Sequence, residues 1–286
     1  MSSAYASFTP VSGQPWRPRR EGGDVLDLDL VDQLLLARGV EPSDLARHRA
    51  PTLRHFLPDP SVFADMDKAA TRLADAVETR ETIAIFGDYD VDGATSAALL
   101  TLLLRRLGVE PMVYIPDRLM EGYGPSGKAL VELKSRGASL AITVDCGAQA
   151  FEALAEAAAA GLEVIVCDHH QCASALPTAV ALINPNRLDE SADGAAHGHL
   201  AAVGMAFLLG VALLRELRRR GRFADGAEPP ILDLLDLVAL GTVADVARLR
   251  SLNRAFVTQG LKVMAQRRNV GLAALADAAR LGRAPT

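Results

Sequence analysis

The sequence is poor in two residue types whose abundance would have indicated a class of protein. Aromatic residues make up only 5% of the 286 residues, and cysteine occurs three times, at Cys146, Cys167 and Cys172. An odd number of cysteines without a C-x-x-C pair argues against both a disulfide framework and a zinc knuckle. This cysteine usage is typical of a reducing cytoplasm.

The chain also lacks an excess of basic charge and a long hydrophobic run. Its net charge is -5, so a nucleic-acid role would need local basic patches or metal ions. The apolar run LAAVGMAFLLGVALL is too short and too closely followed by charges to span a membrane. The N-terminus has no basic start followed by an apolar core, so we expect no secretory signal.

What the sequence does contain is an alternation of short apolar segments with helical patterns, beginning near residue 63. Strands are predicted at 82–87, 110–116, 139–144, 162–167 and 179–184. Helices of ten to fifteen residues between such strands are typical of βαβ units, so we expect an α/β fold with a mostly parallel sheet flanked by helices. Beyond residue 198 the pattern is helical, with helices predicted at 199–220, 230–240, 252–268 and 271–280.

Acidic and imidazole side chains follow three of the predicted strands. These residues are Asp88, Asp90 and Asp92 after the first, Asp145 after the third, and Asp168, His169 and His170 after the fourth. A further acidic residue, Asp245, lies in a turn after an apolar helix. The carboxyl ends of strands in an open parallel sheet are where ligands bind.

Taken singly, each aspartate is more often a helix cap or a turn former than a ligand. Taken together, four clusters of Asp and His would repel one another unless cations were bound. Oxygen-rich sites with one or two imidazoles suit Mn²⁺ or Mg²⁺, and the number of ligands favours two ions that share a carboxylate. Two-metal sites activate water and stabilise the leaving oxygen in phosphoryl transfer, so the residues predict a metal-dependent phosphoesterase.

Two other aspartate sites fit less well. A calcium loop that began at Asp88 would need a bidentate Glu at its twelfth position, which is Leu99 here. A phosphoacceptor domain would use one nucleophilic Asp and leave the histidine pair without a role.

Seven ordered segments resemble a known family. DYDVDG, VDCG, DHH and GTVADV are similar to the four motifs of the DHH phosphoesterase superfamily. Together with YIPDRLMEGYGPS, LINPNR and LAAVGMAFLL, they resemble RecJ-type single-stranded-DNA-specific exonucleases from about residue 25 onward. The resemblance implies hydrolysis of single-stranded DNA from its 5′ end, with two Mn²⁺ or Mg²⁺ ions, in DNA repair and recombination.

The resemblance also implies roles for particular residues. The metal ligands would be Asp88, Asp90, Asp92, Asp145, His169 and Asp245. Asp145 is expected to bridge the ions and, with His169 and His170, to form the catalytic group. His170 is expected to contact the scissile phosphate or support the ligands, and Asp168 to orient a histidine.

Four residues are candidates for substrate binding. Arg118 could contact a phosphate or pair with Glu121, and Tyr123 could stack on a base or merely pack. Gly204 is predicted at a helix start, where free N–H groups could receive a phosphate. Arg248 follows the Asp245 turn and could track a DNA backbone.

For domain organisation we expect four parts. These are a disordered leader at 1–23, a helical segment at 24–62, the DHH-type catalytic domain at 63–250 and a connector helix at 251–286 that leads toward an absent second domain. Single-stranded DNA is the expected partner, with a single-strand-binding protein or helicase as further candidates and no membrane.

Two other functions stay open from the sequence. The first is a DHH-type phosphodiesterase that acts on oligoribonucleotides, cyclic dinucleotides or pyrophosphate. The second is a truncated, non-catalytic scaffold that binds metal and repair partners.

Overall fold

The computed structural model describes residues 28–224, 226 and 228–281, together with residue 13. The predicted leader at 1–23 thus lies outside the described residues, apart from Gly13. The chain divides into two compact units, Met1–Pro51 and Thr52–Thr286. Residues 52–62 and the predicted connector therefore belong to the same unit as the sheet.

The first unit contains short helices. They are α1 (Leu30–Ala37), a 3-10 helix (Pro42–Asp44) and α2 (Leu45–Arg49). Asp29 caps α1 by accepting the N–H of Asp32 at 2.9 Å, which satisfies one of the free donors at a helix start. Arg49 pairs with Asp29 and also with Asp32, at 3.1 Å.

The second unit is built on a five-stranded parallel sheet. Its strands are β1 (Ile83–Gly87), β2 (Met112–Tyr114), β3 (Leu140–Val144), β4 (Glu163–Cys167) and β5 (Ala181–Ile183), in the order β2-β1-β3-β4-β5. Every neighbouring pair is parallel. The predicted α/β class is confirmed, and β1 and β3 are fully buried, as expected for strands covered on both faces.

Helices cover both faces of this sheet. The helices of this unit are α3 (Leu53–Phe56), α4 (Met66–Thr79), α5 (Val91–Arg106), α6 (Gly127–Ser135), α7 (Phe151–Ala159), α8 (Ala192–Ala195), α9 (Ala202–Arg219), α10 (Leu235–Ala244), α11 (Ser251–Met264) and α12 (Val270–Ala278), with 3-10 helices at Pro60–Val62 and Ile231–Leu234. Side chains alternate across each strand, so Ile83 and Ile85 join the core under α4, α5 and α9. Ala84 and Phe86 join the core under α6 and α7.

The helical part after residue 198 differs from the prediction in one place. The helix expected at 230–240 starts as a 3-10 helix and continues as α10 to Ala244, which makes Asp245 its C-terminal cap. The two helices predicted at 252–268 and 271–280, within the expected connector, are present as α11 and α12. Phe256 of α11 packs edge-on against Phe207 of α9 at 5.2 Å. None of the described helices combines the length and apolar character that a bilayer span requires.

Candidate metal centre

The carboxyl ends of three adjacent strands place three aspartates side by side. Asp88, Asp145 and Asp168 each follow the last residue of β1, β3 and β4. The hydrogen bonds between neighbouring strands continue one residue beyond the strand ends. The N–H of Asp88 donates to the carbonyl of Val144 at 3.2 Å, and the N–H of Asp145 donates to the carbonyl of Cys167 at 3.0 Å. The backbone therefore fixes the spacing of these carboxylates.

Asp145 has an unusual backbone conformation for its residue type. Its φ of +62° lies in the left-handed region, and Gly147 two residues later has a φ of +110°. A Cβ on Gly147 would lie 2.6 Å from Thr143 Oγ1, so only glycine fits this turn. Non-glycine residues held in the left-handed region cost of order 1 kcal/mol and concentrate at functional sites.

The DYDVDG segment leads from β1 into α5 and places the start of this helix at the same edge of the sheet. Asp90 caps α5 by accepting the N–H of Gly93 at 2.9 Å. Asp92 is buried in the first turn and accepts the N–H groups of Ala202 at 2.7 Å and Val203 at 2.9 Å. Its carboxylate therefore joins the start of α5 to the start of α9, where the helix dipole favours a negative charge.

His169 presents one ring nitrogen to the carboxylates. Its Nδ1 lies 3.0 Å from the carbonyl oxygen of Leu200, which only accepts, so Nδ1 carries the proton. Its Nε2 lies 3.3 Å from Asp145 Oδ1 and 3.8 Å from Asp92 Oδ2. A backbone carbonyl on one nitrogen leaves the lone pair of the other for a metal in the neutral ring.

Asp168 organises the turn that carries the histidine pair. Its Oδ1 accepts the N–H groups of His169 at 2.7 Å and His170 at 3.1 Å, and its Oδ2 accepts the N–H of Ala148 at 2.9 Å. His170 Nδ1 lies 2.8 Å from the same Oδ1 and 3.9 Å from Asp145 Oδ1. Asp168 thus occupies the position expected of a residue that orients a histidine.

Three groups of side chains could each hold a cation. In each group the candidate ligand atoms lie within 4.8 Å of one another, and the groups are Asp88, Asp90 and Asp145; Asp92, His169 and Asp245; and Asp145, His169 and His170. Asp145 and His169 each belong to two groups. All six predicted metal ligands are thus brought to one edge of the sheet, and His170 lies beside them.

The donor set fits hard divalent cations. Oδ1 of Asp88 and Oδ1 of Asp145 are buried and accept no hydrogen bond among the described residues. Buried oxygen atoms without a donor are costly, and an ion would satisfy them. Carboxylates with one or two imidazoles suit Mn²⁺ or Mg²⁺ better than a thiolate-preferring metal.

The carboxyl pKa values also fit a cation site. Burial raises the pKa of Asp145 to about 8 and that of Asp92 to about 6. Burial likewise raises the pKa values of Asp88 and Asp245. Groups that resist ionisation in the empty site would ionise beside a bound cation, because the cation supplies the missing opposite charge.

The pKa values of the histidine pair are set by the neighbouring carboxylates. Burial alone would lower the pKa of His169, but the contacts with Asp145 and Asp92 raise it to about 9. The hydrogen bond that His170 Nδ1 donates to the carboxylate of Asp168 raises the pKa of His170. Burial opposes ionisation of Asp168, yet its bonds to His170 and to backbone N–H groups lower its pKa.

Two of the predicted substrate-binding residues border this centre. The guanidinium of Arg118 lies 5.0 Å from the centre of the Tyr89 ring, while Glu121 accepts the hydroxyl of Tyr114 at 2.5 Å. Tyr123 donates its hydroxyl to the carbonyl of Asp145 at 3.3 Å and lies 3.4 Å from His170 Nδ1.

The other two lie differently from the prediction. Gly204 is the third residue of α9, and its N–H donates to the carbonyl of Ala201 at 3.0 Å. The first two N–H groups of α9 bind Asp92, so the helix start is not open to a phosphate and that prediction is corrected. Arg248 is exposed, and its carbonyl accepts the side-chain N–H of Asn253 at 3.1 Å.

Sequence reasoning missed the residues that hold the histidine turn from outside. Asn184 donates its side-chain N–H to the carbonyl of His170 at 2.8 Å, and Asn186 donates to the carbonyl of His169 at 2.5 Å. The segment NPN directly after β5 was the available signal, since amide side chains commonly bond to nearby backbone. Tyr89 lies between the candidate ligands Asp88 and Asp90, and the guanidinium of Arg118 packs on its ring. Sequence reasoning assigned no role to this tyrosine either.

A parallel sheet with carboxylates and imidazoles at its carboxyl edge is the feature that identifies the class of this α/β domain. The comparison with known protein families points to the same class. The DHH family, N-terminal domain, matches residues 82–242. This match spans β1 to α10, and with it the strand-end aspartates and the histidine turn. The chain belongs to the DHH family.

Among individual proteins, the chain is similar to single-stranded-DNA-specific exonucleases RecJ. It is 39% identical to that of Haemophilus influenzae over 91% of this chain and 45% of the relative, and 38% identical to that of Bacillus subtilis over 85% and 29%. The chain spans about half the length, or less, of these curated relatives.

Two solved structures agree with the sequence comparisons. The chain matches a crystal structure of exonuclease RecJ bound to manganese with a TM-score of 0.65 and 36% identity, over 76% of this chain and 52% of that one. It matches RecJ in complex with Mn²⁺ from Thermus thermophilus with a TM-score of 0.61 and 34% identity, over 76% and 29%.

Proposed function

We propose that this chain is the catalytic domain of a metal-dependent exonuclease that degrades single-stranded DNA from the 5′ end. One observation carries the proposal: three groups of ligand atoms at one sheet edge share Asp145 and His169. Shared ligands bring two cations close together, which is the arrangement that phosphoryl transfer uses. The relatives named as RecJ exonucleases support DNA as the substrate.

The residues divide naturally between two Mn²⁺ or Mg²⁺ ions. Asp88, Asp90 and Asp145 would hold one ion, and Asp92, His169 and Asp245 the other. Asp145 lies 3.3 Å from His169 Nε2 and would be shared between the two sets. Bound ions would supply Lewis-acid activation of water and neutralise charge at the leaving oxygen. Structures of relatives that contain manganese support this choice of metal.

The chain's own groups would bind and orient the substrate. Asp168 holds His170 at the rim of the cluster at 2.8 Å, where its other nitrogen is in position to contact the scissile phosphate. Arg118, fixed on the ring of Tyr89, offers a planar donor for a phosphate further along. Exposed Arg248 could contact the DNA backbone.

A cytoplasmic repair and recombination role follows from this activity. The three cysteines are free, which suits a reducing compartment. Single-stranded DNA is the partner that the function requires. A single-strand-binding protein or a helicase that exposes the strand would be a natural protein partner.

The activity test compares single-stranded DNA, duplex DNA, dinucleotides and cyclic dinucleotides as substrates of the full chain in Mn²⁺. We expect release of mononucleotides from 5′-phosphorylated single-stranded DNA, and much slower release from duplex DNA. Asp245→Asn should lower the rate by at least about 100-fold, because one ion loses a charged ligand. Asp193→Asn, at an exposed position, is the matched control and should not change the rate.

The same assay decides between the proposal and its alternatives. Preferential cleavage of dinucleotides or cyclic dinucleotides would contradict the exonuclease and favour a small-phosphodiester enzyme. Mn²⁺ binding without cleavage of any of these substrates would favour the non-catalytic scaffold.

A further inference from the structure

A recess beside the metal centre is not explained by the ligands themselves. It is a cavity of about 430 Å³ between the loop of Tyr123, Gly124 and Pro125 and the segment 147–150. Asp168 and His170 also line it, so it opens next to the catalytic cluster. This volume is in the range of cavities that hold small organic groups.

We propose that this recess holds the nucleobase of the 5′-terminal nucleotide while its phosphodiester lies at the metal centre. This inference rests on the exonuclease proposed above. It goes further because it assigns a base-binding subsite to segment 147–150.

The wall formed by segment 147–150 is narrow and fixed. Ala148 and Ala150 end at Cβ, and Gly147 cannot accept a side chain because a Cβ would lie 2.6 Å from Thr143 Oγ1. The N–H of Ala148 donates to Asp168 at 2.9 Å, and the side-chain N–H of Gln149 donates to the carbonyl of Gln171 at 2.7 Å. The wall is therefore tied to the same turn that carries the histidine pair.

The opposite wall carries an aromatic ring held by the metal centre. Tyr123 is 57% exposed, yet its hydroxyl donates to the carbonyl of Asp145 at 3.3 Å. Its ring meets His170 edge-on at 5.9 Å between centroids. A fixed ring loses little conformational entropy on binding, and every base presents a face on which such a ring can stack.

The charge of the recess suits a base better than a phosphate. Neither Lys nor Arg is among its lining residues in the described part of the chain, and Asp168 contributes a carboxylate. An anion there would face the carboxylate of Asp168, and the lining imidazole of His170 already pairs with that carboxylate at 2.8 Å. A neutral flat ring needs no counter-charge. The phosphate belongs at the cations, and the recess beside them is left for the base of the same nucleotide.

The test measures how much the base adds to nucleotide binding. Calorimetry on the full chain in Mn²⁺ compares thymidine 5′-monophosphate with 2-deoxyribose 5-phosphate, which lacks the base. We expect the nucleotide to bind at least about tenfold more tightly, as base stacking on an aromatic ring provides. Ala150→Phe would fill the recess and reduce this ratio to about threefold or less.

Ala158→Phe provides the matched control, because Ala158 is exposed on α7 and does not line the recess. It should keep the wild-type ratio. A wild-type ratio near one overturns the inference, as does an unchanged ratio in folded Ala150→Phe. If that variant fails to fold, Ala150→Leu replaces it with the same expectation.

The outcome also separates this inference from the proposed function. Mn²⁺-dependent binding of both phosphates with equal affinity would leave the exonuclease standing and remove the base subsite. The inference is overturned if the chain does not bind Mn²⁺, and also if it binds neither phosphate compound in the presence of Mn²⁺. Of these two results, only the absence of Mn²⁺ binding also contradicts the exonuclease.

Discussion

At the scale of single residues, Asp145 combines burial, backbone strain and an unsatisfied oxygen. It is 2% exposed, has a φ of +62°, and its Oδ1 accepts no hydrogen bond among the described residues. Such a residue destabilises the metal-free protein, and its presence makes sense only if a cation compensates. The two predictions at this scale concern that compensation.

The first prediction is that Asp145→Asn stabilises the metal-free chain. Because the folded pKa of Asp145 is raised to about 8, the folded state favours its neutral form, and stability falls as pH rises from about 4 to about 8. The asparagine amide has the size of the carboxylate without its charge. The free energy of unfolding, measured in urea with EDTA near pH 8, should therefore be about 1–3 kcal/mol higher than in the wild type. The gain should shrink as pH falls and vanish near pH 4, where Asp145 is protonated in the unfolded chain as well.

Glu132→Gln removes an exposed carboxylate on α6 and should change neither value. Added Mn²⁺ should stabilise the wild type and fail to stabilise Asp145→Asn. Equal stabilisation of both by Mn²⁺ would remove Asp145 from the ligand set.

The second prediction concerns the pH dependence of metal binding. Protons and Mn²⁺ compete for Asp145 and Asp92, whose pKa values are raised to about 8 and about 6. The apparent affinity for Mn²⁺ should therefore rise with pH, and it should level off only above about pH 9, because the pKa of the proposed ligand His169 is raised to about 9 and His169 must also lose its proton. Calorimetric titrations across this range measure the slope, and a flat profile would show that the bound ligands are already ionised.

At the scale of elements, the helices α5, α9 and α10 pack closely at Gly241, next to the candidate ligand Asp92. A Cβ at this position of α10 would lie 2.3 Å from Thr95 Oγ1 in α5, 2.9 Å from Val203 Cγ1 in α9 and 3.1 Å from Asp92 Oδ1. The close approach of α10 also sets the position of Asp245 at its C-terminal end. The packing of these helices thus fixes the positions of the candidate ligands Asp92 and Asp245 together.

The third prediction tests this coupling with Gly241→Ala. Alanine favours helix by up to about 1 kcal/mol, but the overpacking should cost about 1–3 kcal/mol and displace Asp92 or Asp245. Both the free energy of unfolding and the affinity for Mn²⁺ should fall. Gly271→Ala in α12, whose nearest contact would be 3.5 Å, is the matched control and should lower neither. A Gly241→Ala variant with wild-type Mn²⁺ affinity would contradict the coupling.

At the scale of the whole molecule, charge makes DNA binding depend on metal. The chain carries a net charge of -5, and its proposed active site is a cluster of carboxylates. A phosphate backbone would be repelled from this edge unless cations reverse its local charge.

The fourth prediction is that replacing Mn²⁺ by EDTA weakens the binding of single-stranded DNA at least about tenfold at low salt. Fluorescence anisotropy with a labelled oligonucleotide measures this change. The Asp245→Asn variant should block cleavage and reduce the difference in affinity between Mn²⁺ and EDTA. Equal affinity in EDTA would mean that exposed arginines such as Arg248 carry the binding instead.

The sequence predicted the sheet and its ligands because both depend on local patterns. Continuous apolar segments of five or six residues define buried strands, and the polar residues that end them must lie at the carboxyl edge. The metal-binding role of these six residues stays a prediction, and it rests on their grouping at one edge, where carboxylates and imidazoles would favour bound cations. The strand ends and the family resemblance were accordingly confirmed by the structure and the comparisons.

Tertiary structure decided what depended on contacts between distant segments. Gly204 looked like a free helix start, but Asp92, more than one hundred residues earlier, takes the first N–H groups of α9. Arg118 packs on Tyr89 instead of pairing with nearby Glu121. The sequence by itself determined which residues meet at the sheet edge, since strand order and polarity are local properties. Only the folded chain decided which backbone donors stay free and where a recess remains, because side chains from separate elements compete for them.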